Sequence, residues 1–246
     1  MAGDGTDMAV SASERASRAD SLAAELRAEI LGGRFRAGDR LPSERELAAR
    51  HKVNRLCARE ALQQLERLGL VEIRRGGPRV GAIDAASPDL IAHLFDYSGA
   101  LDPALVEQWL DVSEIVFTGA VRLALERASD SEVARARELL SALSSAGAED
   151  ASYFAKLDEL GDLIFAGTRN LVLQLMRNGL RANVLPRLQG AKQRLRPVRA
   201  ELAELVRAVD LAVAARDPER AQECVRLLFR ANRDRILKSL AKAARQ

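Results

Sequence analysis

Cysteine is scarce in this chain: Cys57 and Cys224 are the only two in 246 residues, far apart and without metal-type spacing. That excludes a disulfide framework and fits a reduced, cytoplasmic setting. Aromatic residues make up only 4%, with one Trp and two Tyr, so a close-packed core must be built from aliphatic side chains. No apolar run approaches a membrane span. No charged start followed by an apolar stretch and a cleavage site marks an export signal. We therefore expect a cytoplasmic protein with no membrane partner. Catalytic signatures are also missing. The chain holds no G-x-S-x-G, no P-loop, no G-x-G-x-x-G after a strand, no H-E-x-x-H and no C-x-x-C. Asp158 and Glu159 are adjacent on a helical stretch and point different ways. We expect no enzyme.

What is present is concentrated between Leu41 and Leu70, LPSERELAARHKVNRLCAREALQQLERLGL. Ser43 and Glu46 have capping-box spacing and start a short helix with Leu47 and Ala48 on its apolar side. Lys52-Val53-Asn54 breaks the run, and Asn54 is suited to cap a second helix. Ala58, Ala61, Leu62, Leu65 and Leu68 follow at helical spacing, with Arg55 and Arg59 on the opposite face. Gly69 ends that helix. Two short helices around a tight turn, the second basic at its start, form a helix-turn-helix pattern. Leu70 to Arg75 then alternates apolar and charged like a half-buried strand. Gly76-Gly77-Pro78 reads as the turn and Arg79 to Ile83 as the returning strand. This hairpin is a wing whose tip carries Arg74, Arg75 and Arg79, placed to reach a minor groove or flanking phosphates. Residues 18–82 hold 14 Lys or Arg against 9 Asp or Glu, a net of +5, so with +3 overall the rest carries −2. A basic segment attached to a near-neutral remainder suits a nucleic-acid reader.

The segment LPSERELAARHKVNRLCAREALQQLERLGLVEIRRGGPRV resembles the winged helix-turn-helix of the GntR superfamily of bacterial transcription regulators. The resemblance implies DNA contacts at Arg45, Asn54, Arg55, Leu56, Cys57, Arg59, Arg75, Gly76 and Arg79. Arg55 and Arg59 would lie on the recognition helix, where an arginine can bind guanine O6 and N7 in bidentate fashion. Leu56 and Cys57 depart from the hydroxyl or proline residues usual there, which bears on the central operator bases.

Taken in order, residues 1–17 read as a disordered tail, and a first scaffold helix follows from 18 to 31 with Leu22, Leu26, Ile30 and Leu31 on its apolar side. The winged domain spans 18–83 and a linker 84–88. From 89 to 246 every segment reads as helix. A short one ends near Tyr97. A long one enters at Asp102-Pro103 with Leu105, Trp109, Val112, Val116, Ala120 and Leu123 on its buried side. Ser129 caps the next, and others run over 151–166, 170–188 with a bend at Pro186, 197–216 and 217–244. The fold class is thus mostly α: a winged helix-turn-helix followed by an antiparallel bundle of six to seven helices.

Residues 154–180, FAKLDELGDLIFAGTRNLVLQLMRNGL, are similar to the effector domain of the FadR group within that superfamily. The similarity implies an all-α effector-binding and dimerisation domain over 89–246, with ligand contacts at Ser113, Phe117, Asp158, Asn170, Arg230 and Asn232. Many such domains hold a metal on an aspartate and three histidines. Here His51 sits in the DNA motif and His93 just after the linker, so we expect no metal and no other cofactor. The reading is a homodimeric repressor on a palindromic operator, released by a small molecule. A long-chain acyl-CoA or fatty acid is the leading effector. A small carboxylic acid, or no effector at all, remains the alternative.

Overall fold

The computed structural model describes residues 5–97, 102–145, 150–183 and 199–243. The chain divides into two compact units, Met1–Tyr97 and Ser98–Gln246. Among the described residues no helix is long and apolar enough to cross a membrane.

The first unit contains α1 (Gly5–Leu31), α2 (Glu44–His51), α3 (Arg55–Arg67), β1 (Val71–Arg74), β2 (Gly77–Val80), a 3-10 turn (Ile83–Ala85) and α4 (Leu90–Tyr97). Its core is a single cluster. Leu22, Leu26 and Ile30 of α1 meet Leu47 of α2, and Ala58, Ala61, Leu62 and Leu65 of α3 close it. Burying each of those leucines contributes roughly 1.5–3 kcal/mol, so this cluster outweighs the caps that shape its ends. Helix α3 finishes in a Schellman arrangement: Leu70 N donates to Leu65 O and Gly69 N to Glu66 O. Gly69 has φ +74, and a methyl there would lie 2.8 Å from Ala86 Cα. Glycine is required at that point by both backbone and space.

Three boundaries differ from the sequence reading. Residues 1–17 read as a disordered tail, yet α1 starts at Gly5. No proline or internal glycine lies between Gly5 and the buried stretch from Ala19, so nothing stops the helix from propagating backward. The wing turn is Arg75-Gly76, not Gly76-Gly77-Pro78. Val71 pairs with Val80 and Arg74 with Gly77, so β2 covers 77–80 and Ile83 falls in the 3-10 turn. Proline is tolerated because the sheet has only two full strands. Residues 84–88 read as a linker, yet they lie against the first unit: Ser87 N donates to Leu68 O at 3.0 Å, and Leu90 is part of the first core. Helix α4 belongs with the winged unit.

The second unit contains α5 (Pro103–Arg127), α6 (Asp130–Ser144), α7 (Asp150–Gly167), α8 (Leu171–Asn183), α9 (Arg199–Ala214) and α10 (Pro218–Ala243). Asp102 caps α5 through Ala104 N, with Pro103 in the first turn. Ser129 and Glu132 form a complete capping box on α6. Helix α10 packs along α5 and α9, α9 also on α6, and α7 on α5 and α6. Leu139, Leu140, Leu160, Val209, Val213 and Val225 are central to the core. Arg137 to Asp210 at 3.0 Å ties α6 to α9, and Arg233 is bonded to Glu107 and Asp111 on α5. The buried side of α5 is rotated from the sequence reading. Ala120 is buried as expected, but the other buried residues are Val106, Val121, Ala124 and Leu125, whereas Val112 is 50% exposed. Apolar residues occupy nearly every face of this helix, so periodicity alone does not select one. Pro186 and Pro197 lie outside the described residues.

Candidate nucleic-acid interface and helical-domain cavity

The DNA motif is organised by two caps. Ser43 Oγ accepts from Glu46 N, and Glu46 Oε2 accepts from Ser43 N at 2.7 Å. The hydroxyl and backbone N–H of Ser43 hold the Glu46 carboxyl below its ordinary range. Lys52 takes the left-handed conformation (φ 54) that turns the chain between the helices. Asn54 Oδ1 then accepts from Cys57 N at 2.8 Å and fixes the start of α3.

These restraints set which side chains face outward. Arg45, Asn54, Arg55, Arg59, Arg75 and Gly76 are exposed, and Leu56 is 45% exposed. Cys57 is not available: it is 1% exposed, with Sγ 3.8 Å from Arg15 O. The helix phase that points Arg55 and Arg59 outward points residue 57 into the core, so Cys57 leaves the set of contact residues expected from sequence. Arg79 is exposed, but its Nη1 donates to Gly38 O at 2.9 Å, which braces the wing against the preceding loop. Arg74 is bonded to Glu72. Arg75, on the two-residue turn, is the wing's outermost cation.

In the second unit a cavity of about 840 Å³ opens between α5, α6, α7 and α10. Trp109, Phe117, Leu140, Leu160, Phe165 and Phe229 typify its mainly apolar wall. Phe117 meets Phe165 edge-on at 5.0 Å and tilts against Phe229 at 5.4 Å. Of the ligand contacts expected from sequence, Ser113, Phe117, Asp158 and Asn232 line this cavity. Asn170 does not: its Oδ1 accepts from Val172 N and Leu173 N and caps α8. Arg230 is also elsewhere, 3.6 Å from Glu114 on the outer surface.

Two ionised residues in the wall were not legible as site residues. Glu132 sits at the start of α6. The backbone N–H of Ser129, then its hydroxyl, then Arg169 lower its carboxyl to about 2. Arg177 comes from α8 and is held by Asp158 and Asp162. The residues do not fit the aspartate-and-histidine metal site of related domains. Asp158 already faces a guanidinium, and both histidines lie in the first unit. Among the described residues, no group of three His, Cys, Asp or Glu side chains has metal-site geometry.

Comparison with known proteins matches both units. Residues 18–80 match "Bacterial regulatory proteins, gntR family", and residues 110–231 match the FCD domain. The chain is 29% identical over 237 residues to "Uncharacterized HTH-type transcriptional regulator Rv0494" of Mycobacterium tuberculosis, covering 89% of this chain and 90% of that one. It is 28% identical over 243 residues to "HTH-type transcriptional regulator Mce2R" of the same species, covering 97% and 100%. It is 30% identical over 153 residues to "HTH-type transcriptional repressor NanR" of Edwardsiella tarda, covering 58% and 55%. The chain belongs to the GntR family of transcription regulators and pairs its winged helix-turn-helix with an FCD domain.

Proposed function

We propose that this regulator is a cytoplasmic repressor that binds a short inverted repeat as a homodimer, with α3 of each copy in the major groove. The observation that carries the reading is the sidedness of α3. One face supplies Ala58, Ala61, Leu62 and Leu65 to the core, and the other presents Arg55 and Arg59 to solvent. Arg55 and Arg59 read guanine edges, Leu56 contacts a thymine methyl, and Arg45, Asn54 and the wing tip at Arg75 and Gly76 hold phosphates. Two-fold symmetry of the protein is matched by symmetry of the site. Repression as the sign of regulation agrees with the printed name of the E. tarda relative.

The effector occupies the cavity of the FCD unit. Its volume and apolar wall suit a long acyl chain, carried as an acyl-CoA or a fatty acid. Occupancy lowers operator affinity by no more than the ligand's differential affinity for free and operator-bound protein. The test is fluorescence anisotropy on an operator duplex titrated with palmitoyl-CoA. Release at micromolar ligand supports the reading. Release by small carboxylic acids alone replaces this effector class, and no response to either removes it.

A further inference from the structure

Arg40 stands just before the two helices of the DNA motif and is exposed. Its backbone segment joins the wing. Gly38 N donates to Val80 O at 2.8 Å, Val80 N to Asp39 O at 2.9 Å and Leu41 N to Pro78 O at 2.9 Å. Arg40 thereby pairs with Arg79 in a single antiparallel bridge along the free edge of β2. Its guanidinium extends along the wing to the turn: a methyl on Gly77 would lie 3.3 Å from Arg40 Nε and 3.4 Å from Nη2. Gly77 has φ +112, a conformation that favours glycine, and its missing side chain leaves room for that reach.

The same side chain is felt at the start of α2. After the hydroxyl and backbone N–H of Ser43, the charges of Arg40 and then Arg45 also lower the Glu46 carboxyl. Arg40 thus lies between Arg45 on α2 and Arg75 on the wing turn, the two arginines placed on phosphates above.

Its donors are open. Among the described residues the Arg40 side chain forms no hydrogen bond or ion pair. Asp39 accepts from Arg36 N, Glu46 accepts from Ser43, and Glu72 is bonded to Arg74. Arg79, directly opposite, carries the same charge. Like charges facing each other across paired strands cost stability, and an anion bound beside them removes that cost.

We propose that Arg40 binds a DNA backbone phosphate, joining Arg45 and Arg75 into one continuous cationic line from α2 to the wing. This rests on the DNA-binding reading above and adds a contact outside both the recognition helix and the wing turn. A phosphate contact carries no base preference, so its effect is the same on any sequence.

The experiment uses the full chain and a random-sequence duplex, with anisotropy measured over a salt series. R40Q removes the charge and keeps much of the stem; R40K keeps the charge. R40Q should reduce the slope of log K against log salt by about one and weaken binding roughly five- to tenfold near 0.1 M salt, the share of one phosphate. R40K should stay close to the parent in both. The side chain is exposed, so Tm should hold in both variants and report that folding persists. A merely structural role is separated by R75A: if Arg40 only braces the turn that carries Arg75, R40Q adds nothing in the R75A background. The proposal expects a further loss of about one in slope there. An unchanged slope in R40Q, no added loss in the R75A background, or R40K as weak as R40Q overturns the Arg40 contact alone. Failure of the parent to bind the duplex even at low salt overturns the DNA-binding reading with it.

Discussion

The backbone N–H of Cys57 points at Oδ1 of Asn54, 2.8 Å away. That bond satisfies a free donor of α3 and fixes the phase in which Arg55 and Arg59 face out and Cys57 faces in. Asn54→Ala should cost about 1 kcal/mol of stability, the usual value of an N-cap. Operator affinity should fall with it, and urea unfolding beside anisotropy on one sample checks both.

Arg55 and Arg59 carry sequence information in this account. Alanine at either position should weaken operator binding by about 1–3 kcal/mol and relax preference at one base pair. Their side chains lie outside the core, so Tm should stay within a degree or two of the parent. A loss of Tm as large as a core substitution gives would assign them a packing role instead.

Arg75 acts differently. On the Arg75-Gly76 turn it meets phosphate, so Arg75→Ala should weaken all duplexes alike and reduce the slope of log K against log salt by about one. A salt series on specific and random DNA separates this from the effect at Arg59.

Glu132 makes stability depend on pH. Its carboxyl is held at about 2 against an ordinary 4.5. A depressed carboxylate stabilises fully above its unfolded value and loses that contribution as pH falls toward the folded one. The Tm difference between parent and Glu132→Gln should be constant from pH 7 to pH 5 and shrink below about 4.5. A difference independent of pH would mean that the capping geometry, not the charge, matters.

Leu62 is 1% exposed, on the inner face of α3. Leu62→Ala should cost about 2–5 kcal/mol, measured by denaturant unfolding. It should weaken DNA binding only through loss of folded protein.

Much of the first unit is legible in sequence because its signals are local. The Ser43–Glu46 and Asn54–Cys57 caps each span three residues, and the apolar positions of α3 repeat at helical spacing. Wing register is less legible, since three turn-forming residues in a row, Gly76, Gly77 and Pro78, allow more than one turn. The cavity is the least legible part. Arg177 is brought to Gly161 by the packing of α8 on α7, a relationship between helices that no motif announces. Asn170 misleads for the opposite reason: its role as a cap is local, but a resemblance to other effector domains casts it as a contact. Val112 shows the limit of periodicity, because α5 is apolar around most of its circumference, outside the stripe of Glu107, Asp111 and Glu114, and its neighbours choose the buried face.

The measurement that tests the central claim most directly is selection of duplexes from a random-sequence library by the full chain, repeated with Arg59→Ala. The account predicts that the parent enriches an inverted repeat with guanines in each half-site, and that the variant loses the preference at one base pair of each half. Enrichment of no shared sequence, or the same repeat recovered equally by both proteins, would contradict it.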